Sequence, residues 1–320
     1  MVYIKIEMGL GSRRRTPSAH ADTTAAVTFA EREAQRMRTA GRHKTAANYL
    51  TAVRSLTRFL GRADWRFGAL DTATLDGYQR WLCQQGLCLN TISAYMRSLR
   101  ALYNRATAGA PEGGASPFGG VYTGREHTAK RSATADDLRR LLALSLAPGS
   151  PLCLARDLFV FSFCAMGMPF ADMARLSSSH IHGGVIHYAR QKTAQKVSVA
   201  IEPCMRGIID RYRAPGSELI FPMLRHAAPC DVPRAYASSL RAYNRALHRL
   251  SQLAGCSQPL SSYVARHSWA SLAYSRSVDL RLIAKAMGHT KLSTTLIYIR
   301  SLLDPSLADA NRSVIESIGL

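Results

Sequence analysis

Acidic side chains are scarce in this sequence. Its 320 residues carry 21 aspartates and glutamates against 42 lysines and arginines, which gives a formal net charge of +21 with neutral histidine. Lysine is scarce too, because 35 of the 42 bases are arginine. Residues 1–130 hold 19 bases and 9 acids (net +10), and residues 131–320 hold 23 and 12 (net +11). Arginine suits bidentate phosphate contacts, so both halves are predicted to face nucleic acid.

Features typical of several other protein classes are absent from the sequence. No uncharged run reaches the roughly 20 residues that a helix needs to cross a bilayer, and the first residues do not resemble a secretory signal. The seven cysteines contain no CxxC pair, which favours reduced thiols over a disulfide framework or a zinc site. A phosphate-binding Gly-Lys-Ser/Thr loop is also missing. We therefore expect a cytoplasmic protein that uses no membrane, metal or cofactor.

The first third of the chain is predicted to be a helical domain. Residues 1–23 lack periodicity and contain three consecutive arginines, so they are either a flexible basic arm or a frayed terminus. In residues 24–107 apolar side chains recur at helical spacing. This pattern predicts four helices, at about 25–40, 44–60, 72–86 and 90–107. Asn90 is the expected N-cap of the last helix.

Basic side chains of this domain are candidate DNA contacts. Arg97, Arg100 and Arg105 fall on the polar surface of the fourth predicted helix, where they could follow a phosphate backbone. Lys44, at the start of the second helix, is a further candidate. A solvated basic face is the alternative explanation for all four.

A change of composition separates this domain from a second one. Residues 108–130 contain six glycines and two prolines and are predicted to be a linker. In residues 131–320, Thr134 can cap a first helix and residues 152–166 form a hydrophobic helix. The segments VIHYAR and KVSVAI, joined by the polar QKTAQ, predict a β-hairpin. The predicted fold is mainly α with a small antiparallel sheet (α+β).

Two C-terminal segments hold residues whose order and spacing indicate catalysis. SSYVARHSWAS contains Arg266 followed by His267, and MGHTKLSTTLIYI contains Gly288-His289 and then Tyr298, nine residues later in a Thr-Thr-x-x-Tyr context. Singly, Arg266 would be interpreted as a surface ion pair and His289 as a core histidine. Together they resemble the tyrosine recombinase (phage integrase) family, whose pattern is Arg-His, then Gly-His, then a nucleophilic tyrosine nine residues further on.

The resemblance covers nearly the whole chain and implies an architecture. Residues 24–107 would be a helical SAM-like core-binding domain, and residues 131–320 a catalytic domain with a C-terminal exchange helix that docks on a neighbouring protomer or packs back. The implied function is site-specific recombination (integration, excision or inversion) of double-stranded DNA by a homo-oligomer, a tetramer on paired sites. The closest resemblance is to integrases of Bacteroidales mobile elements and invertible loci, in these stretches: NTISAYMRSLRALYNRA, PFGGVYTG, ARDLFVFSF, YVARHSWAS and TTLIYI.

The resemblance also implies catalytic roles. Tyr298 would attack the phosphodiester and form a 3′-phosphotyrosine, which keeps the bond energy for rejoining. Arg266 would neutralise the phosphate, His289 would donate to a non-bridging oxygen, and Lys192 would protonate the leaving 5′-oxygen. Residues two apart on a strand share a face, so Arg190 and Lys192 are expected to approach one phosphate together if the strand extends that far.

Three positions depart from the family pattern. Pro169 stands where most members have their first catalytic arginine, and Met166 stands where the Bacteroidales branch commonly has one. We hypothesise that Arg190 replaces the missing guanidinium. Tyr263, three residues before Arg266, stands where the broader family usually has a proton-accepting histidine. It is expected either to orient the phosphate or nucleophile or to be a buried structural tyrosine, because a phenol is a poor base near neutral pH.

Two alternatives to a recombinase remain open at this stage. A type IB topoisomerase-like enzyme would share the tyrosine chemistry but would need no synapsis of two DNA sites. A catalytically degenerate DNA-binding or directionality protein would explain the missing first arginine.

Overall fold

The computed structural model describes residues 24–108, 116–126, 131–289 and 292–299. These residues fall into two compact units, one on either side of the 127–128 boundary. The predicted basic arm and the C-terminal exchange helix after Tyr298 lie outside the described residues. Within the described part of the chain, no helix combines the length and the apolar character that a membrane crossing requires.

Four helices build the first unit, at the positions that apolar periodicity predicts: α1 (Ala26–Thr39), α2 (His43–Leu60), α3 (Thr72–Gln84) and α4 (Leu89–Ala106). α2 contacts both α1 and α4. Their inward faces meet in a core that includes the fully buried Leu56, Tyr78 and Leu99. The Asp71 carboxylate caps α3 by accepting a hydrogen bond from the Thr74 amide at 2.8 Å, which satisfies one of the free donors of the first turn.

The start of α4 differs from the prediction. The residue that precedes its first turn is Cys88, and Asn90 already lies within the helix. The Asn90 side chain instead binds the backbone of Glu126, accepting from its amide at 2.9 Å and donating to its carbonyl at 3.1 Å. Asn90 therefore holds a distant loop in place, a role that local sequence does not reveal.

That loop belongs to the segment predicted to be a linker. Residues 116–126 pack on the first unit, because the side chains of Phe118 and Val121 are buried in its core. The Ser93 hydroxyl also donates to the carbonyl of Gly124 at 2.6 Å. Burial of these two apolar side chains explains why the first compact unit extends to residue 127.

The second unit begins with three helices and a sheet. The helices are α5 (Ala135–Leu142), α6 (Pro151–Cys164) and α7 (Phe170–Met173), and the strands are β1 (Ile181–His182), β2 (Val185–Ala189) and β3 (Lys196–Ala200). The three strands are antiparallel in the order β1-β2-β3. Thr134 caps α5 in a capping box with Asp137, as its position predicts. The mainly α fold with a small antiparallel sheet is confirmed.

Five more helices complete the second unit: α8 (Pro203–Tyr212), α9 (Val232–Leu253), α10 (Val264–Ser275), α11 (Leu280–Ala286) and α12 (Leu292–Ile299). The hydrophobic α6 contacts α8, α9 and α10. Its one acidic residue, Asp157, is buried and stabilised by an ion pair with Arg211 and by a 2.9 Å hydrogen bond from the Tyr212 hydroxyl. α12 contacts α10 and α11 in turn, so the helices that carry the two C-terminal motifs lie side by side.

Candidate active site

Arg266 is buried on the face of α10 that packs into the second unit. Its Nη1 donates to the carbonyl of Gly167 at 2.9 Å, and its Nη2 donates to the carbonyl of Met287 at 2.5 Å. The same Nη2 lies 3.0 Å from Nε2 of His289. A buried guanidinium whose hydrogen bonds are satisfied by rigid backbone is held in one orientation, as electrostatic catalysis requires.

The turn after α6 approaches Arg266 very closely. Gly167 has a φ of 75°, and a Cβ at this position would lie 2.8 Å from Cα of Arg266. Only glycine permits both this conformation and this contact. The turn can therefore present its carbonyl to the arginine because it lacks a side chain at residue 167.

Arg190 is the second buried guanidinium of the site. Its Nη1 donates to the Met287 carbonyl at 2.6 Å, so this one oxygen accepts hydrogen bonds from both Arg190 and Arg266. Its Nε lies 3.5 Å from Oδ2 of Asp172, whose Oδ1 accepts a hydrogen bond from the Gln191 amide at 3.0 Å. Burial raises the pKa of Asp172, while that hydrogen bond and the Arg190 charge oppose the shift.

The expectation that Arg190 and Lys192 share a strand face is wrong. β2 ends at Ala189, and residues 191–193 form the turn that leads toward β3. The turn, not strand alternation, brings both basic side chains to one cleft, where Arg190 is buried and Lys192 is exposed. Together with these two, the cleft is lined by Asp172 and by three residues that the sequence singles out: Pro169, Tyr263 and Arg266.

His289 lies against Arg266 and is not among the residues that line this cleft. Its Nε2 faces Arg266 and its Nδ1 lies 2.8 Å from Oγ1 of Thr295 in α12. Burial, together with the charges of Arg266 and Arg190, lowers the pKa of His289 to about 4. The ring is therefore neutral near pH 7 in the DNA-free protein, since both effects disfavour the charged imidazolium.

Tyr263, directly before α10, and His267, within it, occupy different environments. Tyr263 precedes the helix, is 52% exposed and lines the cleft, so the alternative of a buried structural tyrosine is wrong. His267 is buried, and its ring centroid lies 5.9 Å from that of Tyr263. Tyr298 lies in α12, and the structure describes only its backbone.

The candidate DNA contacts of the first unit have unequal surroundings. Lys44 and Arg100 are exposed, whereas Arg97 is half-buried and donates to the Ser93 carbonyl at 3.3 Å. Arg105 lies 2.6 Å from the buried carboxylate of Glu33 on α1. Arg105 therefore ties α4 to α1, and its guanidinium is already engaged before any phosphate arrives.

The sequence does not identify two contributors to the site. Thr295 is marked in the sequence only as context for Tyr298, yet it binds the ring of His289. Gly167 is not singled out in the sequence, yet it packs on Arg266. Among the described residues no group of three or more His, Cys, Asp or Glu side chains is arranged to hold a metal ion.

Comparison with known proteins places the chain in a family. Residues 26–109 match the phage integrase SAM-like domain, and residues 131–303 match the phage integrase family. Tyrosine recombinase XerD of Listeria monocytogenes serotype 4b (strain F2365) is 22% identical over 271 residues, which cover 79% of this chain and 88% of that protein.

Two solved structures show the same fold. A lambda integrase (75–356) dimer bound to a COC′ core site has a TM-score of 0.63 and 16% identity, and the match covers 86% of this chain and 95% of that one. A lambda integrase tetramer bound to a Holliday junction has a TM-score of 0.62 and 18% identity, covering 85% and 77%. The second unit has the Arg-His/Gly-His/Tyr pattern, and the family match spans more than half of the chain. The chain therefore belongs to the phage integrase (tyrosine recombinase) family.

Proposed function

We propose that this chain is a site-specific DNA recombinase that cuts and rejoins double-stranded DNA through a 3′-phosphotyrosyl intermediate at Tyr298. The observation that carries the proposal is the meeting of Arg266, Arg190 and His289 around residues 287–289, directly before the helix that contains Tyr298. Two fixed positive charges beside an imidazole suit a phosphodiester, whose transition state accumulates negative charge on its equatorial oxygens.

Each group has a task in the proposed reaction. The Tyr298 oxygen attacks phosphorus and loses its proton to solvent, the bond between phosphorus and the 5′-oxygen breaks, and protonated Lys192 donates a proton to that oxygen. Arg266 and Arg190 neutralise the non-bridging oxygens. His289 donates to one of them once the phosphate anion favours its protonated form. The phosphotyrosine keeps the energy of the broken bond, so rejoining needs no nucleotide.

The proposal includes Arg190 as the substitute for the missing first arginine. Pro169, at the position where most family members have that arginine, lines the same cleft as Arg190. The planar guanidinium of Arg190, supplied from the turn after β2, can therefore bind the phosphate that an arginine of the 167–169 turn would bind in most family members. Tyr263, exposed in the cleft, would orient the phosphate or the nucleophile through its hydroxyl.

The proposed assembly is a homo-oligomer, a tetramer on paired DNA sites. In this scheme residues 24–107 and 131–320 are core-binding and catalytic domains that grip the duplex, and the shared excess of positive charge supports it. A lambda integrase structure contains a tetramer bound to a Holliday junction. We also propose that the protein acts in the cytoplasm, on the DNA of a mobile element or an invertible locus.

Covalent trapping tests the chemistry. The full-length protein is incubated with a library of nicked duplexes that carry random sequence around the nick, so that the unknown target site is represented. The wild type is expected to give protein–DNA adducts that survive denaturation, and Tyr298→Phe is expected to give none, because it lacks only the attacking oxygen. Wild-type signal no higher than that of Tyr298→Phe would contradict the proposal. Sequencing of the trapped DNA gives the defined site for the experiments below.

Recombination between two such sites separates this proposal from strand nicking without synapsis. Holliday intermediates and exchanged products are expected from DNA that carries a pair of sites. Relaxation of supercoils without exchanged products would instead indicate the topoisomerase-like alternative.

Arg100 provides a test of the first unit. It is exposed on α4, and loss of one phosphate contact is expected to reduce the slope of log K against log salt concentration by about one. Binding of Arg100→Ala and Arg100→Lys to the defined site is measured by titration at several salt concentrations. The lysine variant keeps the charge and should keep the wild-type slope, and an unchanged slope for Arg100→Ala would remove Arg100 from the interface.

A further inference from the structure

The hydroxyl of Thr295 contacts the His289 ring, although Thr295 has no role in the proposed reaction. Its side chain is fully buried, and its Oγ1 lies 2.8 Å from Nδ1 of His289. Thr295 is in α12, three residues before Tyr298 and therefore about one helical turn away. This hydroxyl joins the histidine of the site to the helix that carries the proposed nucleophile.

The contacts of His289 define which of its nitrogens carries the proton. Nε2 lies 3.0 Å from Nη2 of Arg266, and a guanidinium has donors but no acceptor, so Nε2 is the accepting nitrogen. A neutral imidazole then carries its proton on Nδ1 and donates it to Oγ1 of Thr295. Burial and the two arginine charges lower the pKa of His289 to about 4, which keeps the ring neutral in the free protein.

We infer that Thr295 is a positioning residue for strand cleavage, which holds His289 in its Nδ1-protonated form with Nε2 directed at the arginine pair. The inference rests on the proposed function of His289 and Tyr298. Without a partner on Nδ1 the imidazole is held by the Arg266 contact alone, and rotation about its Cβ–Cγ bond breaks that contact and allows the two tautomers to exchange. Nε2 would then face the phosphate in only a fraction of the molecules.

The same contact couples two parts of the site. Because Thr295 belongs to α12, His289 has this acceptor only when the helix that carries Tyr298 is seated against it. Seating of the nucleophile helix and orientation of the histidine thus occur together. A hydroxyl at residue 295 is the feature that links them.

Three variants separate this role from simple packing. Thr295→Val keeps the β-branched shape and removes the acceptor, Thr295→Ser keeps the hydroxyl, and Ser293→Ala changes an exposed residue of the same helix. The single-turnover cleavage rate of Thr295→Val is expected to fall about 10–100-fold, the usual cost of losing the outer partner that orients an imidazole. Thr295→Ser should retain most of the rate and Ser293→Ala all of it, with DNA affinity unchanged in each.

Nitrogen NMR of the full chain labelled with ¹⁵N-histidine supplies a readout that a packing role would not move. The His289 signals are assigned from their absence in His289→Gln. The wild type is expected to show a protonated Nδ1 and an unprotonated Nε2, and Thr295→Val is expected to shift both signals toward averaged tautomers. The inference would be overturned if Thr295→Val cleaved as fast as the wild type and kept the wild-type nitrogen pattern. It would also be overturned if Thr295→Ser cleaved as slowly as Thr295→Val.

The NMR arm also keeps this inference separate from the proposed function. If the wild type forms no covalent adduct, the recombinase proposal fails, while the nitrogen signals still decide whether Thr295 sets the tautomer. If the wild type forms the adduct and Thr295→Val behaves like it in both measurements, only the positioning role fails.

Discussion

Arg190→Ala is expected to cleave the defined DNA site roughly 10²–10³-fold more slowly than the wild type, the typical cost of losing one preorganised donor to a developing anion. Arg190 is buried, and it shares the Met287 carbonyl with Arg266, so its guanidinium is fixed before DNA arrives. Pro169 stands at the position that the family resemblance assigns to the first arginine, and residues 166–169 carry no positive charge. Single-turnover cleavage of a nicked substrate measures the effect.

A change at the scissile phosphate shows whether the charge of Arg190 is the cause. On DNA with an uncharged methylphosphonate at the cleavage position, the wild-type and Arg190→Ala rates should converge, because the guanidinium has less charge to neutralise. Arg206→Ala, which removes an exposed arginine of α8, should cleave like the wild type. Arg190→Lys should recover part of the rate, since it restores the charge without the planar fork. Wild-type cleavage of the ordinary phosphate by Arg190→Ala would refute the substitution hypothesis.

Gly288→Ala is expected to reduce cleavage by about 100-fold although it leaves every proposed catalytic side chain in the sequence. Gly288 has a φ of 61°, and a Cβ there would lie 2.7 Å from Cδ of Arg190 and 3.1 Å from Cγ2 of Val197. Arg190 would have to leave its place beside the Met287 carbonyl, and His289 follows directly in the chain. A shift of about 1 Å in such a site is enough for a loss of this size.

The chain contains a matched control for the backbone strain. Gly255 has a similar φ of 58°, but a Cβ there would have no neighbour within 4 Å. Both substitutions therefore place an alanine on left-handed backbone, which lowers the free energy of unfolding by about 1–2 kcal/mol, but only Gly288→Ala adds a collision. Thermal melting should show the strain cost in both variants and a further loss of stability in Gly288→Ala, while cleavage should fall only in Gly288→Ala. Equal activity of the two variants would show that the contact with Arg190 is tolerated.

Local patterns were sufficient to predict much of the fold. The four helices of the first unit, the Thr134 cap and the hydrophobic α6 follow from apolar periodicity and capping chemistry, which act over a few residues. The motif spacing likewise brings Arg266 and His289 to one place. The role of Tyr298 as the nucleophile and the roles of the other site residues remain predictions.

Features that depend on distant partners could not be predicted in this way. Asn90 is a good capping residue in isolation, but its side chain binds Glu126, 36 residues away. Phe118 lies in a segment whose glycines and prolines suggest a linker, yet its ring is buried against the first unit. The end of β2 at Ala189 is set by pairing with β3, and a short strand pattern does not fix that boundary.

The shared Met287 carbonyl has a consequence for conformational stability. Arg190 and Arg266 are permanently charged, and the fold holds both largely buried guanidinium groups at one oxygen. Their mutual repulsion raises the free energy of the folded state, and Asp172 offsets part of it. A phosphate bound by both guanidinium groups would offset more of it. Under the proposed function, the DNA-free protein therefore has an electrostatic cost to its stability that phosphate binding would reduce.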